Sequence, residues 1–189
     1  MKNDKLRILF IGNSHTYFND MPAMVARRFR EDGFDCEVTM IAHGGWFLEQ
    51  HVQEPDVRFN ILYGHYDYVV LQEHSHPMAG EDKFLQAAHT LNRWIREAGC
   101  IPVIYMTWAK KDEESEQAHM IEVHQRVAKS INALLAPVGE YWWGYMRSWP
   151  NIEMYNEDGA HASKHGSEFA AKYIWDAIYH DLYQKGKID

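Results

Sequence analysis

The sequence predicts an α/β fold, a parallel sheet of five strands covered by helices on both faces. Short runs of consecutive apolar residues recur along the chain, each followed by a segment with apolar residues at helical spacing. Strands that are apolar throughout, rather than alternating, belong to sheets buried on both faces, and those are the parallel ones. At 189 residues the chain is long enough for one domain, 1–189, and too short for two large ones.

Each element has its own signal. Residues 6–11 (LRILFI) read as the first buried strand, followed by a loop and a helix that Pro22 opens and Gly33 closes. Residues 36–42 (CEVTMIA) are the second strand, and 46–62 one or two short helices broken near Pro55. Residues 66–72 (YDYVVLQ) are the third strand. Phe84, Ala88, Leu91, Ile95 and Ala98 share one helical face, with Gly99 as the C-terminal cap. Residues 101–107 form the fourth strand. An amphipathic helix follows over 112–135, its acidic start (Asp112, Glu113, Glu114) suited to the positive helix end. A short fifth strand is expected near 137–140. The closing helix runs from Ser163 to about Gln184, with Phe169, Tyr173, Ala177 and Ile178 facing inward.

Composition excludes several classes of function. Lys and Arg number 19 against 27 Asp and Glu, a net charge of −8, so no basic footprint for nucleic acid or an anionic membrane is visible. Lys2, Lys5 and Arg7 precede an apolar run far shorter than the roughly 7–15 residues of a signal peptide. No stretch approaches the ~20 apolar residues that span a bilayer. The two cysteines show no CxxC spacing, and the chain reads as cytoplasmic with free thiols. Aromatic residues make up 14% of the chain, more than a core of this size needs, which leaves some for lining a pocket.

In such sheets ligands bind beyond the carboxyl ends of the strands, so the loops after each strand hold the candidate chemistry. Those loops carry Gly12-Asn13-Ser14-His15-Thr16, His43-Gly44-Gly45-Trp46, Gln72-Glu73-His74-Ser75-His76-Pro77 and Trp108. Just before the last helix lies Asp158-Gly159-Ala160-His161. Together they supply a hydroxyl, spare backbone N–H groups, an amide and a carboxylate–imidazole pair, the set that acyl transfer needs. Asp158 and His161 read either as a tautomer-fixing pair or as a turn cap followed by a helix start. Ser14 alone reads first as a helix N-cap or turn serine, with an anion-cradling loop the second alternative. Neither G-x-x-x-x-G-K-[ST], G-x-G-x-x-G nor the G-x-S-x-G elbow occurs.

In order along the chain, these segments resemble the blocks of the SGNH (GDSL-like) hydrolase superfamily. Its first block, a strand ending in Gly-Asp-Ser, is matched by ILFIGNSHT with Ser14 as nucleophile and Asn13 in place of the Asp. Gly45 in AHGGWFLEQH matches the oxyanion-hole glycine of the second block, with Gly44 the alternative. The terminal Asp-x-x-His is matched by Asp158 and His161. The third block, Gly-x-Asn-Asp, departs here to VVLQEHSHP, where Gln72 offers the same kind of side-chain amide donor as the usual Asn.

The resemblance implies a flavodoxin-like three-layer sandwich with strand order 2-1-3-4-5, and an oxyanion hole from the N–H groups of Ser14 and Gly45 and the Gln72 amide. Under that order Cys36 and Cys100 begin strands three spacings apart, ~14 Å at ~4.8 Å each. A disulfide tolerates only about 7 Å between Cα atoms, so none is expected. Trp46, Trp108 and Tyr155 border the site loops and are expected to wall a substrate pocket. His74 and His76 read as loop or rim histidines, because no third spaced ligand accompanies them. Glu73 orients Gln72 or caps the following turn.

The expected activity is serine-dependent hydrolysis of a small-molecule ester through an acyl-enzyme, with no cofactor or metal. A small acyl group on a polar, sugar-like alcohol is favoured. The alternative is a non-catalytic carbohydrate-binding module on the same fold.

Overall fold

A computed structural model describes residues 5–188, so Lys2 lies outside the described residues. Five strands, β1 (Lys5–Gly12), β2 (Asp35–Ala42), β3 (Tyr68–Leu71), β4 (Ile101–Tyr105) and β5 (Leu134–Ala136), form one sheet in the expected order β2-β1-β3-β4-β5. All neighbouring pairs are parallel. Register pairs Gly12 with Ala42 and Ile11 with Leu71, so the carboxyl ends of β2, β1 and β3 finish level. The loops leaving those ends therefore start side by side.

The helices are α1 (Ser14–Tyr17), α2 (Met21–Glu31), α3 (Leu48–His51), α4 (Pro55–Tyr63), α5 (Glu81–Glu97), α6 (Gln117–Ser130), α7 (Val138–Ser148) and α8 (Lys164–Gln184). Successive β1 side chains point to opposite faces of the sheet. Leu6, Ile8 and Phe10 join Val25 and Phe29 of α2, Trp142 of α7 and Ile174 and Ile178 of α8 in one buried cluster. Leu9 and Ile11 join Val57 and Ile61 of α4, Phe84 and Leu91 of α5, and Val123 and Val127 of α6 in the other. Each such side chain contributes about 1.5–3 kcal/mol by leaving water, so the two apolar layers hold the sheet rigid beneath its loops. Both cysteines are buried and free. No described helix is long and apolar enough to cross a membrane.

Two expectations need correction. The fifth strand lies at Leu134–Ala136, not near 137–140, and the helix expected over 112–135 is only Gln117–Ser130, preceded by a 3-10 turn at Glu114–Glu116. The chain turns at Asn132, whose φ of +51° takes the left-handed conformation that Asn tolerates, and Leu134 and Leu135 then pair with β4. Residues 137–140, expected as strand, instead open helix α7 (Val138–Ser148), with Pro137 at its N-cap. The signal was present in Val138, Trp142 and Tyr145, at i, i+4 and i+7.

Candidate active site

The turn after β1 is built around the absence of a side chain. A Cβ on Gly12 would collide with Thr16 Oγ1 and lie 2.6 Å from Gln72 Oε1. Only glycine lets these two polar side chains close over the strand end. Asn13 then acts as N-cap of α1, its Oδ1 accepting from His15 N at 3.0 Å. Its Nδ2 donates to the Trp46 carbonyl at 3.0 Å, joining the β1 and β2 loops. Ser14 follows on the first turn of α1, partly exposed above the sheet.

The Asp158 turn meets this serine from across the site. Asp158 Oδ1 accepts from the N–H groups of Ala160 and His161, both at 2.9 Å, so the carboxylate caps its own turn. Its Oδ2 lies 2.6 Å from His161 Nδ1, and His161 Nε2 lies 2.7 Å from Ser14 Oγ. One carboxylate oxygen thus shapes the turn while the other engages the His161 ring. Burial alone would raise the Asp158 pKa, but the His161 ring and the two N–H groups outweigh it and hold it at about 2. An ionised carboxylate on Nδ1 requires that nitrogen to carry the proton, leaving Nε2 free to accept from the serine.

Two rings fix the imidazole plane, and nothing in the sequence pattern singled them out for this. Phe18 stacks on His161 with centroids 4.0 Å apart and planes 11° off parallel, and His15 lies 4.8 Å away. Burial, with like charge from His76 and His161, drives the His15 pKa well below the usual range, so this neighbour stays neutral.

No family model matches the chain, and no curated protein does. Solved structures do match. A protein from Slackia heliotrinireducens, classed provisionally as an SGNH hydrolase, is 29% identical and superposes with a TM-score of 0.80, over 93% of this chain and 100% of the other. The fold is that of the SGNH hydrolases. The acetyl xylan esterase AlAXEase shares it at 16% identity and a TM-score of 0.73, over 92% of this chain and 100% of that one. TesA shares it at 14% identity and 0.71, over 91% and 97%. The likeness to the 29% identical SGNH hydrolase supports a hydrolase.

Within this SGNH fold, three expected site residues take other places. Gln72 is buried, and its Oε1 accepts from Asn13 N at 2.8 Å and Thr16 Oγ1 at 2.9 Å, while its amide nitrogen donates to the Glu73 carbonyl. The backbone donor at Asn13 fixes which end of the amide faces the loop, and the NH₂ group is engaged by the Glu73 carbonyl. Gln72 locks the turn that carries Ser14 instead of presenting its amide as the expected oxyanion donor. Trp108 and Tyr155 are buried rather than walling a pocket beside Ser14; Tyr155 only borders a surface depression shared with Lys111 and Glu153. Trp108 stacks on Trp142 at 3.8 Å, and Tyr155 Oη donates to the Ala109 carbonyl at 2.6 Å. Trp46 alone of the three stays half-exposed, against His43 at 4.2 Å.

The polar residues after β3 are anchored too. Glu73 Oε1 accepts from His74 N at 2.6 Å and Leu48 N at 3.3 Å, its other oxygen has no partner among the described residues, and burial raises its pKa to about 7. His74 stacks on Phe47 at 4.2 Å, and His76 Nε2 donates to the Trp108 carbonyl at 2.8 Å. Among the described residues no group of three His, Cys, Asp or Glu side chains could hold a metal ion.

Proposed function

We propose that the protein is a serine-dependent ester hydrolase in which Ser14, His161 and Asp158 carry the chemistry. One observation carries this reading, the unbroken chain from Ser14 Oγ through both His161 nitrogens to the Asp158 carboxylate. His161 Nε2 takes the Ser14 proton as Oγ bonds to the ester carbonyl carbon. Asp158 stays ionised and stabilises the imidazolium. The backbone N–H groups of Ser14 and Gly45, neither with an acceptor among the described residues, donate to the oxyanion. As the intermediate collapses, the C–O bond to the alcohol breaks and His161 returns the proton to the leaving oxygen. Water, deprotonated by the same nitrogen, then attacks the acyl-serine; release of the acid restores Ser14.

A carbohydrate-binding module would need aromatic platforms beside the site; of Trp46, Trp108 and Tyr155 only Trp46 stays part-exposed, and the exposed rings Phe59, Tyr63 and Trp149 lie outside the site loops. The enzyme reading is therefore preferred. A fluorophosphonate probe should label Ser14 in the native chain, and short-chain nitrophenyl esters should turn over. Unlabelled Ser14, or equal turnover by Ser14→Ala, would remove the mechanism.

A further inference from the structure

Gln72 and Glu73 follow β3 directly, both buried, and their side chains reach different loops. Gln72 accepts from Asn13 N and Thr16 Oγ1 and so holds the turn that carries Ser14. Glu73 accepts at 3.3 Å from the N–H of Leu48, the first residue of α3. Helix α3 closes the loop that begins at His43 and carries Gly45.

That loop cannot hold its own shape. Gly45 is exposed, at a φ of +74°, and α3 is a single turn, too short to be helical unaided. Phe47 at its N-cap has no side-chain acceptor, so the Leu48 N–H is orphaned unless another segment supplies one. Glu73 supplies it, from the strand on the far side of β1. The other end of α3 is pinned by His51, whose buried Nε2 donates to the Gly12 carbonyl at 2.8 Å. The same carbonyl accepts from His43 N at 3.1 Å, and Asn13 ties the middle of the loop through the Trp46 carbonyl. A neutral cap would hold Leu48 at lower cost. A buried carboxyl group with one oxygen unpartnered among the described residues is expensive, and such groups concentrate at functional sites.

We propose that Glu73 is a positioning residue, which through Leu48 and α3 sets the Gly45 N–H against the oxygen that gains charge as Ser14 attacks. Two adjacent residues at one strand end thus align the two halves of the site, Gln72 the Ser14 turn and Glu73 the Gly45 loop. The inference rests on the ester-hydrolase reading for its chemistry, while the hold on the loop can be measured without turnover.

The parent, Glu73→Gln and Glu73→Leu are compared at pH 6. Burial, with the like charge of Glu49, keeps Glu73 protonated there, so Gln is its isostere. Turnover of a short-chain nitrophenyl ester is read beside inhibition by phenylboronic acid, whose tetrahedral adduct places an oxygen where the oxyanion forms. Amide exchange of residues 43–48 is followed by mass spectrometry. Glu73→Leu should lower kcat and weaken boronate inhibition by at least about tenfold, with KM within about threefold. Its residues 43–48 should exchange faster. Glu73→Gln should stay within about threefold of the parent in every readout. Partial unfolding alone would reduce the active fraction and leave the boronate constant of the folded remainder unchanged. Parental kcat or parental exchange in Glu73→Leu, or a Glu73→Gln chain as impaired as Glu73→Leu, would overturn the proposal. A fluorophosphonate is applied to the parent in parallel. Unlabelled Ser14 removes the hydrolase reading and the positioning role together, whereas labelled Ser14 with any of those outcomes removes the positioning role alone.

Discussion

Trp108 Nε1 donates to the carbonyl oxygen of Ala160 at 3.0 Å, one residue before His161. A tryptophan buried at the end of β4 thus holds the backbone that carries the candidate base. Trp108→Phe keeps most of the stack on Trp142 and deletes that bond. It should cost about 1–2 kcal/mol of stability and slow Ser14 labelling more than the loss of stability explains. Trp108→Ala should cost about 3–5 kcal/mol. Thermal melts read beside labelling rates would separate the two effects, and an unchanged labelling rate in Trp108→Phe would deny the positioning role.

Ser14→Ala should lower kcat on nitrophenyl esters by about 10⁴–10⁶-fold. The melting temperature should stay close to that of the parent, because the hydroxyl's recorded partner is the part-exposed His161 ring. A loss under tenfold would show that another nucleophile operates.

Asp158→Asn replaces the acceptor that orients His161 with a group that can present its NH₂ to the ring. A fall in kcat of about 10⁴-fold is expected from the wrong tautomer. In the parent, the folded-state pKa is depressed, so the pairing contributes above the unfolded value near 3.8 and is lost only as pH falls through about 2. Any acid limb in the rate between pH 5 and 7 should therefore follow a group other than Asp158. An acid limb there that disappears only in Asp158→Asn would contradict this.

Gln72→Ala strands the buried Asn13 N–H and Thr16 hydroxyl and opens a gap beneath Gly12. A stability loss of about 2–4 kcal/mol is expected. Activity should fall in step with nucleophile placement, not as for a lost oxyanion donor. Denaturant midpoints decide it: a variant as stable as the parent with kcat down about 10²–10³-fold would restore the oxyanion role.

Glu73 should make stability depend on pH. Its folded pKa, raised to about 7 from 4.5, means the folded chain holds an extra proton between those values. The group's contribution is fully present below about 4.5 and is lost as pH rises through about 7, by up to about 3 kcal/mol. The stability of the parent relative to Glu73→Gln should decline across that window. A constant difference would show that Glu73 does not titrate there.

The first four strands were legible because each centres on apolar residues bounded by Gly or polar ones, whereas the sheet order came only from the resemblance of the site loops to the SGNH blocks. The last strand was not, since Leu134 and Leu135 also continue the helical stripe of α6, and only the Asn132 turn separates the two. Ser14, Asp158 and His161 stood out because short spacing and loop position survive in one dimension. What Gln72, Trp108 and Tyr155 do could not be read the same way. Whether an amide or an indole faces solvent or core depends on partners such as Asn13 and Trp142, at sequence distances that no local pattern encodes.

Gly12, Thr16 and Gln72 share one volume under the Ser14 turn. Drift at any one of them is therefore not free: a methyl group at position 12 is admitted only if positions 16 and 72 shrink or withdraw together. Across relatives these three sites should change as a linked set, and a library that randomises them singly will recover almost nothing but the parent.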